Sequence, residues 1–98
     1  MTLPVILSVE ARADFDTAIV WYEQQRVGLG VRFAAQVQDA LDRISERPEL
    51  YAPLAENVRR ARVRTFPYLI YYRVEPERIA VLAIVHGSRD SSVWRERL

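Results

Sequence analysis

The chain has 98 residues, half of them hydrophobic, and no cysteine. That composition predicts one folded domain over 1–98 and excludes a disulfide-stapled scaffold or a zinc–thiolate site. Net charge is only +1, but residues 1–57 carry five Arg against nine acids and residues 58–98 nine Arg against four. An acidic partner is therefore expected on the C-terminal half. The apolar stretch from Met1 to Ser8 lacks the basic start and cleavage site of a leader, and no apolar run approaches the ~20 residues of a membrane span. The sequence predicts a soluble cytoplasmic protein.

Leu3 to Leu7 suits a short strand. Ser8 can cap a helix whose first turn carries Glu10. Phe15, Ala18, Ile19 and Tyr22 then recur at helical spacing, with an end near Arg26. Gly28 and Gly30 predict a tight connection. A second helix follows, with Phe33, Val37, Leu41 and Ile44 on one stripe and Pro48 as its stop. Pro53 reads as a loop. From Val58 the period becomes two, placing Arg60, Arg62 and Arg64 on one side and Arg59, Ala61, Val63 and Thr65 on the other.

Phe66-Pro67 opens a turn, and Tyr68 to Val74 alternates again. Glu75-Pro76-Glu77 is a hairpin loop. Ile79 to Val85 is apolar at nearly every position, as in a central strand covered on both faces. Asp90 or Ser91 can cap a short last helix with Val93 and Trp94 as anchors and Arg89, Arg95 and Arg97 facing outward. The expected class is α+β: an N-terminal strand, an antiparallel helical hairpin on a small, mainly antiparallel sheet, and a short C-terminal helix. That helix is too short to cover the far sheet face, so open apolar surface is expected there.

The ordered pieces Val58-Arg59-Arg60, Arg64-Thr65-Phe66-Pro67-Tyr68, Tyr71-Tyr72-Arg73, Val81 to Arg89 with His86, and Trp94 resemble the ParE branch of the RelE/ParE toxin superfamily. Ala11, Asp14 and Tyr22 extend the resemblance through the first helix, so it covers nearly the whole chain. It implies the toxin of a type II toxin–antitoxin system linked to plasmid stabilisation. Such a toxin inhibits DNA gyrase by binding and is neutralised in a hetero-oligomer by a ParD-like antitoxin. No cofactor, metal, membrane or sequence-specific nucleic-acid contact is implied.

Charge pattern and resemblance together nominate Arg89, Trp94, Arg95 and His86 for target contact, and Arg60, Arg62, Arg64 and Tyr72 for antitoxin contact. Each has a plainer reading. His86 can be a strand-end histidine bonded to backbone, the Arg row a solvated guard on an edge strand, and Arg89 a partner of Asp90. Tyr68, Tyr72 and Trp94 read first as core aromatics, and Trp21 with Tyr22 as packing within the hairpin. The alternative function is a ribosome-dependent mRNA endoribonuclease of RelE type. RNA cleavage then needs an acid, a group that stabilises the phosphorane, and a base. His86 can supply the acid and Arg64 or Arg89 the stabiliser. No sound base is in sight, with Glu56 a distant candidate. Ser88, Ser91 and Ser92 lie near His86 but have no nucleophile-elbow context. The balance favours binding over catalysis.

Overall fold

A computed structural model describes residues 2–55, 57–89 and 91–98. Its elements are β1 (Val5–Leu7), α1 (Val9–Gln25), α2 (Leu29–Glu46), β2 (Pro53–Ala55), β3 (Val58–Arg62), β4 (Tyr68–Val74), β5 (Ile79–His86) and a C-terminal 3-10 helix (Ser91–Arg97). The sheet order is β1-β5-β4-β3-β2, with β1 parallel to β5 and the other pairs antiparallel. The class expected from the sequence is the one observed.

Local chemistry sets the helix ends. Ser8 Oγ accepts from Ala11 N at 3.0 Å and starts α1. Gly28 begins α2 in the left-handed region, with φ +88°, and has no side chain to cap it. Glu23 does that work from the end of α1, its carboxylate accepting from Gly28 N and Gly30 N at 2.9 and 3.0 Å. Gly30 is not part of the connection but lies in the first turn of α2. A Cβ there would sit 2.6 Å from the Ile19 carbonyl oxygen, so glycine lets the two helices close tightly. Helix α2 ends just before Pro48, whose carbonyl accepts from Tyr72 Oη at 2.6 Å.

The main core lies between the hairpin and one sheet face. Ala11, Phe15, Ala18 and Tyr22 of α1 and Phe33, Val37, Leu41 and Ile44 of α2 meet Ala61, Ile70, Tyr72, Val81 and Ile84. Strand β5 is an inner strand covered on both faces, as expected, but its alternation is broken. Tyr71 pairs with Ala83 and Tyr72 with Val81, so Leu82 is an extra residue in a bulge. The bulge lets Leu82 and Ala83 both serve the opposite face while Val81 and Ile84 serve the main core.

That opposite face holds Val58, Tyr71, Leu82, Ala83 and Val85 beneath Val93 and Trp94. The open apolar surface expected there is confined to the margins of the face, at Ile6 and Leu54. One indole ring, only 3% exposed, covers what a longer helix would otherwise cover. Further exposed large apolar side chains lie on the hairpin, where Val20, Trp21, Val27 and Val31 stand out. The region read as a loop at Pro53 is the short edge strand β2, and an edge is where a sheet tolerates proline.

Candidate functional site

Two open concavities meet at the C-terminal end of β5. The first is an apolar groove of about 590 Å³ between α1 and the ends of β4 and β5. Its walls are Ala13, Asp14, Thr17, Trp21 and Tyr22 on one side and Pro67, Tyr68, Ile84 and His86 on the other, with Arg89 beside them. The second is a basic hollow of about 900 Å³ around the uncovered part of β3. It is lined by Arg43, Tyr51, Arg60, Arg62, Arg64, Thr65 and Ser88, and it shares Pro67, Tyr68 and His86 with the groove. Among the described residues β2 pairs with Val58 and Arg59 and no strand covers the rest of the β3 edge, which leaves the hollow open.

His86 ends a column of rings. Phe33 stacks edge-on against Tyr68 at 4.9 Å, and Tyr68 against His86 at 5.6 Å. His86 Nδ1 accepts from Ser88 N at 3.0 Å and lies 2.8 Å from Ser88 Oγ. An Nδ1 that accepts a backbone N–H carries no proton, so the neutral ring is protonated at Nε2. Burial raises the Tyr68 phenol above its ordinary value, helped by the Asp14 charge; burial and then Tyr68 do the same for Tyr22. Both phenols are therefore protonated at neutral pH.

The carboxylate in the groove is already committed. Asp14 Oδ2 accepts from Arg97 Nη1 at 2.6 Å and from Ile84 N at 3.1 Å, and Oδ1 accepts from Arg97 Nη2 at 3.3 Å. Arg97 Nη1 also donates to the Leu82 carbonyl at 3.1 Å. Strand β1 pairs with β5 no further than Val81. Beyond that point the ion pair satisfies the backbone of β5 in place of a neighbouring strand. The hydrogen bond that Arg97 donates to Asp14, more than the Asp14 charge, raises the guanidinium of Arg97 above its usual value.

The nominated residues divide. Arg60, Arg62 and Arg64 converge on the hollow as expected, although β3 ends at Arg62 and a bend with Thr65 at φ 69° carries Arg64. Tyr72 does not join them. It is 0% exposed in the main core, its phenol raised chiefly by burial, so its expected contact role is corrected to packing. Of the four residues nominated for target contact, His86 and Arg89 line the groove. Trp94 is buried under the far face, and Arg95 stacks over its ring at 4.6 Å, on a crevice shared with Leu54 and Arg60. Arg97 was expected outward and turns inward to Asp14. Glu56, Asp90 and the side chain of Ser91 lie outside the described residues.

Sequence reasoning missed Trp21, which is 53% exposed and edge-on to Tyr22 at 5.0 Å rather than packed inside the hairpin. The available signal was its position one residue off the buried stripe Ala11, Phe15, Ala18, Tyr22. It also missed Arg43, which bonds Asp39 and the Tyr51 hydroxyl but has a buried Nη2 without a partner among the described residues.

Fold and site define a small α+β protein with an aromatic groove beside a guanidinium-lined hollow. Residues 5–91 match the family described as the ParE toxin of the type II toxin–antitoxin system parDE, and the chain belongs to that family. Toxin RelE1 of Caulobacter vibrioides is 29% identical over 89 residues, covering 89% of this chain and 96% of that protein. Toxin ParE2 of Mycobacterium tuberculosis is 40% identical over 48 residues, 49% of this chain and 46% of the relative. A solved structure described as the chromosomal ParDE TA system from P. aeruginosa shares the fold, with a TM-score of 0.75 at 16% identity over 87% of this chain and 96% of that one.

Proposed function

We propose that this toxin acts by binding DNA gyrase, and that a cognate antitoxin silences it by covering the groove and the hollow. One observation carries the choice of binding over RNA cleavage. Asp14, the carboxylate among the groove's described residues, is held by Arg97 and Ile84 N and is not available as a base. The neighbouring phenols are held protonated, and guanidinium groups serve poorly as bases. A stoichiometric binder needs no base. The antitoxin is expected to place an amphipathic helix along the groove, where Trp21 and Tyr68 offer apolar anchors and Arg89 a charge.

The ribonuclease reading has one observation in its favour: His86, Tyr68, Arg62 and Arg64 line the same hollow. The two are separated by adding purified toxin to gyrase and supercoiled plasmid, and in parallel to translating ribosomes. A gyrase poison accumulates linear DNA. A ribonuclease produces codon-positioned mRNA cuts that vanish in His86→Gln, because losing an acid costs ~10²–10⁴ in rate, whereas one peripheral contact costs about 1–2 kcal/mol. Such cuts, with gyrase untouched, would overturn the proposal. Arg89 is exposed, so Arg89→Ala is expected to leave Tm nearly unchanged and still weaken growth inhibition. A large loss of Tm with full toxicity contradicts its assignment.

A further inference from the structure

The two edges of the sheet are finished differently. One is β2, which carries Pro53 and meets β3 through a register shift. The other is β1, which reads Val-Ile-Leu, with no charge, proline or bulge to discourage a further strand. Ile79 N donates to the Pro4 carbonyl and Ser8 N to the Val81 carbonyl, so Pro4, Ile6 and Ser8 turn their backbone groups towards β5. Leu3, Val5 and Leu7 therefore turn theirs outward. Leu3 is answered by the end of α2: its N–H donates to the Ser45 carbonyl at 3.3 Å, and its own carbonyl accepts from Ser45 Oγ at 2.6 Å. Val5 and Leu7 have no such partner among the described residues. On the core face the helices part above them, leaving an open cavity of about 610 Å³ lined by Val5, Leu7, Phe15 and Leu41, with the exposed Arg12 and Asp42 beside them. On the other face Ile6 is 48% exposed.

We infer that β1 is the seat of a second copy of this chain, paired antiparallel about a twofold axis at Ile6. The pattern of open groups is self-complementary. Val5 of each copy exchanges its backbone bonds with Leu7 of the other, and Ile6 lies opposite Ile6 of the second copy at a non-hydrogen-bonded position, where side chains come closest. An isologous contact needs this kind of match, since each patch must fit itself. The charges obey the same axis. Arg12 follows the C-terminal end of β1, in the first turns of α1, and Asp42 lies just before Ser45, which holds Leu3 at the N-terminal end. Antiparallel pairing therefore sets each Arg12 beside Asp42 of the second copy. Neither has an ion-pair partner of its own among the described residues, and Asp42 accepts from Gln38 Nε2 at 3.0 Å. This edge shares no lining residue with the groove or the hollow, so the contact holds whichever target the toxin attacks.

Sedimentation velocity of the full chain is the test. Its weight-average mass should climb from monomer towards dimer between about 10 µM and about 1 mM, the range of a small, transient interface. In hydrogen exchange the Val5 and Leu7 amides should gain protection over the same range, while the Ile6 amide, turned towards β5, stays protected throughout. Ile6→Lys sets like charges opposite each other and should weaken association roughly tenfold or more. Arg12→Glu and Asp42→Arg should each weaken it severalfold, and Arg12→Glu/Asp42→Arg together should restore it. Circular dichroism checks that each variant is folded. A chain still monomeric at about 1 mM overturns the inference, as does association that Ile6→Lys retains or that the double charge reversal fails to recover. Association lost in Val27→Ser/Val31→Ser but kept in Ile6→Lys would move the contact to the exposed tip of the hairpin. Protection of Val5 and Leu7 that appears only on adding the antitoxin would give the edge to that partner instead, and either result overturns the pairing of two copies.

Discussion

The groove and the hollow share Tyr68 and His86, yet they treat charge in opposite ways. In the groove, Asp14 is matched by Arg97 and by a backbone N–H, so its charge belongs to the architecture. In the hollow, three arginines stand without a carboxylate among the described residues, so their charge is free for a ligand. The comparison teaches that a charge lining a cavity can belong to the architecture. What sets the hollow apart is that several arginines without a carboxylate partner among the described residues gather around one cavity.

The sharpest way to break this comparison is to remove one arginine from each. Arg97→Ala leaves Asp14 at 12% side-chain exposure without its partner and frees the Leu82 carbonyl. Stripping one member from such a pair costs about 3 kcal/mol, a fall in Tm of roughly 10–20 °C for a chain this size. Arg62→Ala, at an exposed position, should stay within about 0.5 kcal/mol. Equal losses in thermal melts of the two would erase the distinction.

A smaller effect is expected at Trp21. Its ring is half exposed and touches Tyr22 edge-on, so Trp21→Ala should cost about 1 kcal/mol of stability. Antitoxin capture in a pull-down should nevertheless drop severalfold. Capture at wild-type strength would show that the groove is not the antitoxin's seat.

The smallest effect sits between the two cases, where Arg73 and Arg78 share Glu75 in the β4–β5 loop. The hydrogen bond from Arg78, then its charge and Arg73, hold the Glu75 carboxyl below its ordinary 4.5. A depressed folded value means that the stabilisation is present above about pH 4.5 and is lost as pH falls through the lower folded value. An NMR titration should find Glu75 ionising below the common carboxylate range, and Arg78→Gln should move it back up. An ordinary midpoint in the native chain would count against the pairing.

Much of this was legible in the sequence because it is local. Ser8 caps its own helix, and Phe33, Val37, Leu41 and Ile44 share a stripe because a helix repeats every 3.6 residues. The Arg row follows from the two-residue period of a strand. What stayed hidden depends on segments distant along the chain. Asp14 and Arg97 are 83 residues apart, and nothing in either segment predicts that they meet over the bare edge of β5. The extra Leu82 in the ladder, which gives both sheet faces their apolar residues, exists only relative to β4. The same holds for Trp94: its spacing suggested an anchor, but only the packed sheet decides that one ring suffices to close the second core. Periodicity and capping fixed the elements and the basic strand. Long-range pairing decided which charges are answered and which remain open, because that depends on what each strand edge finds beside it.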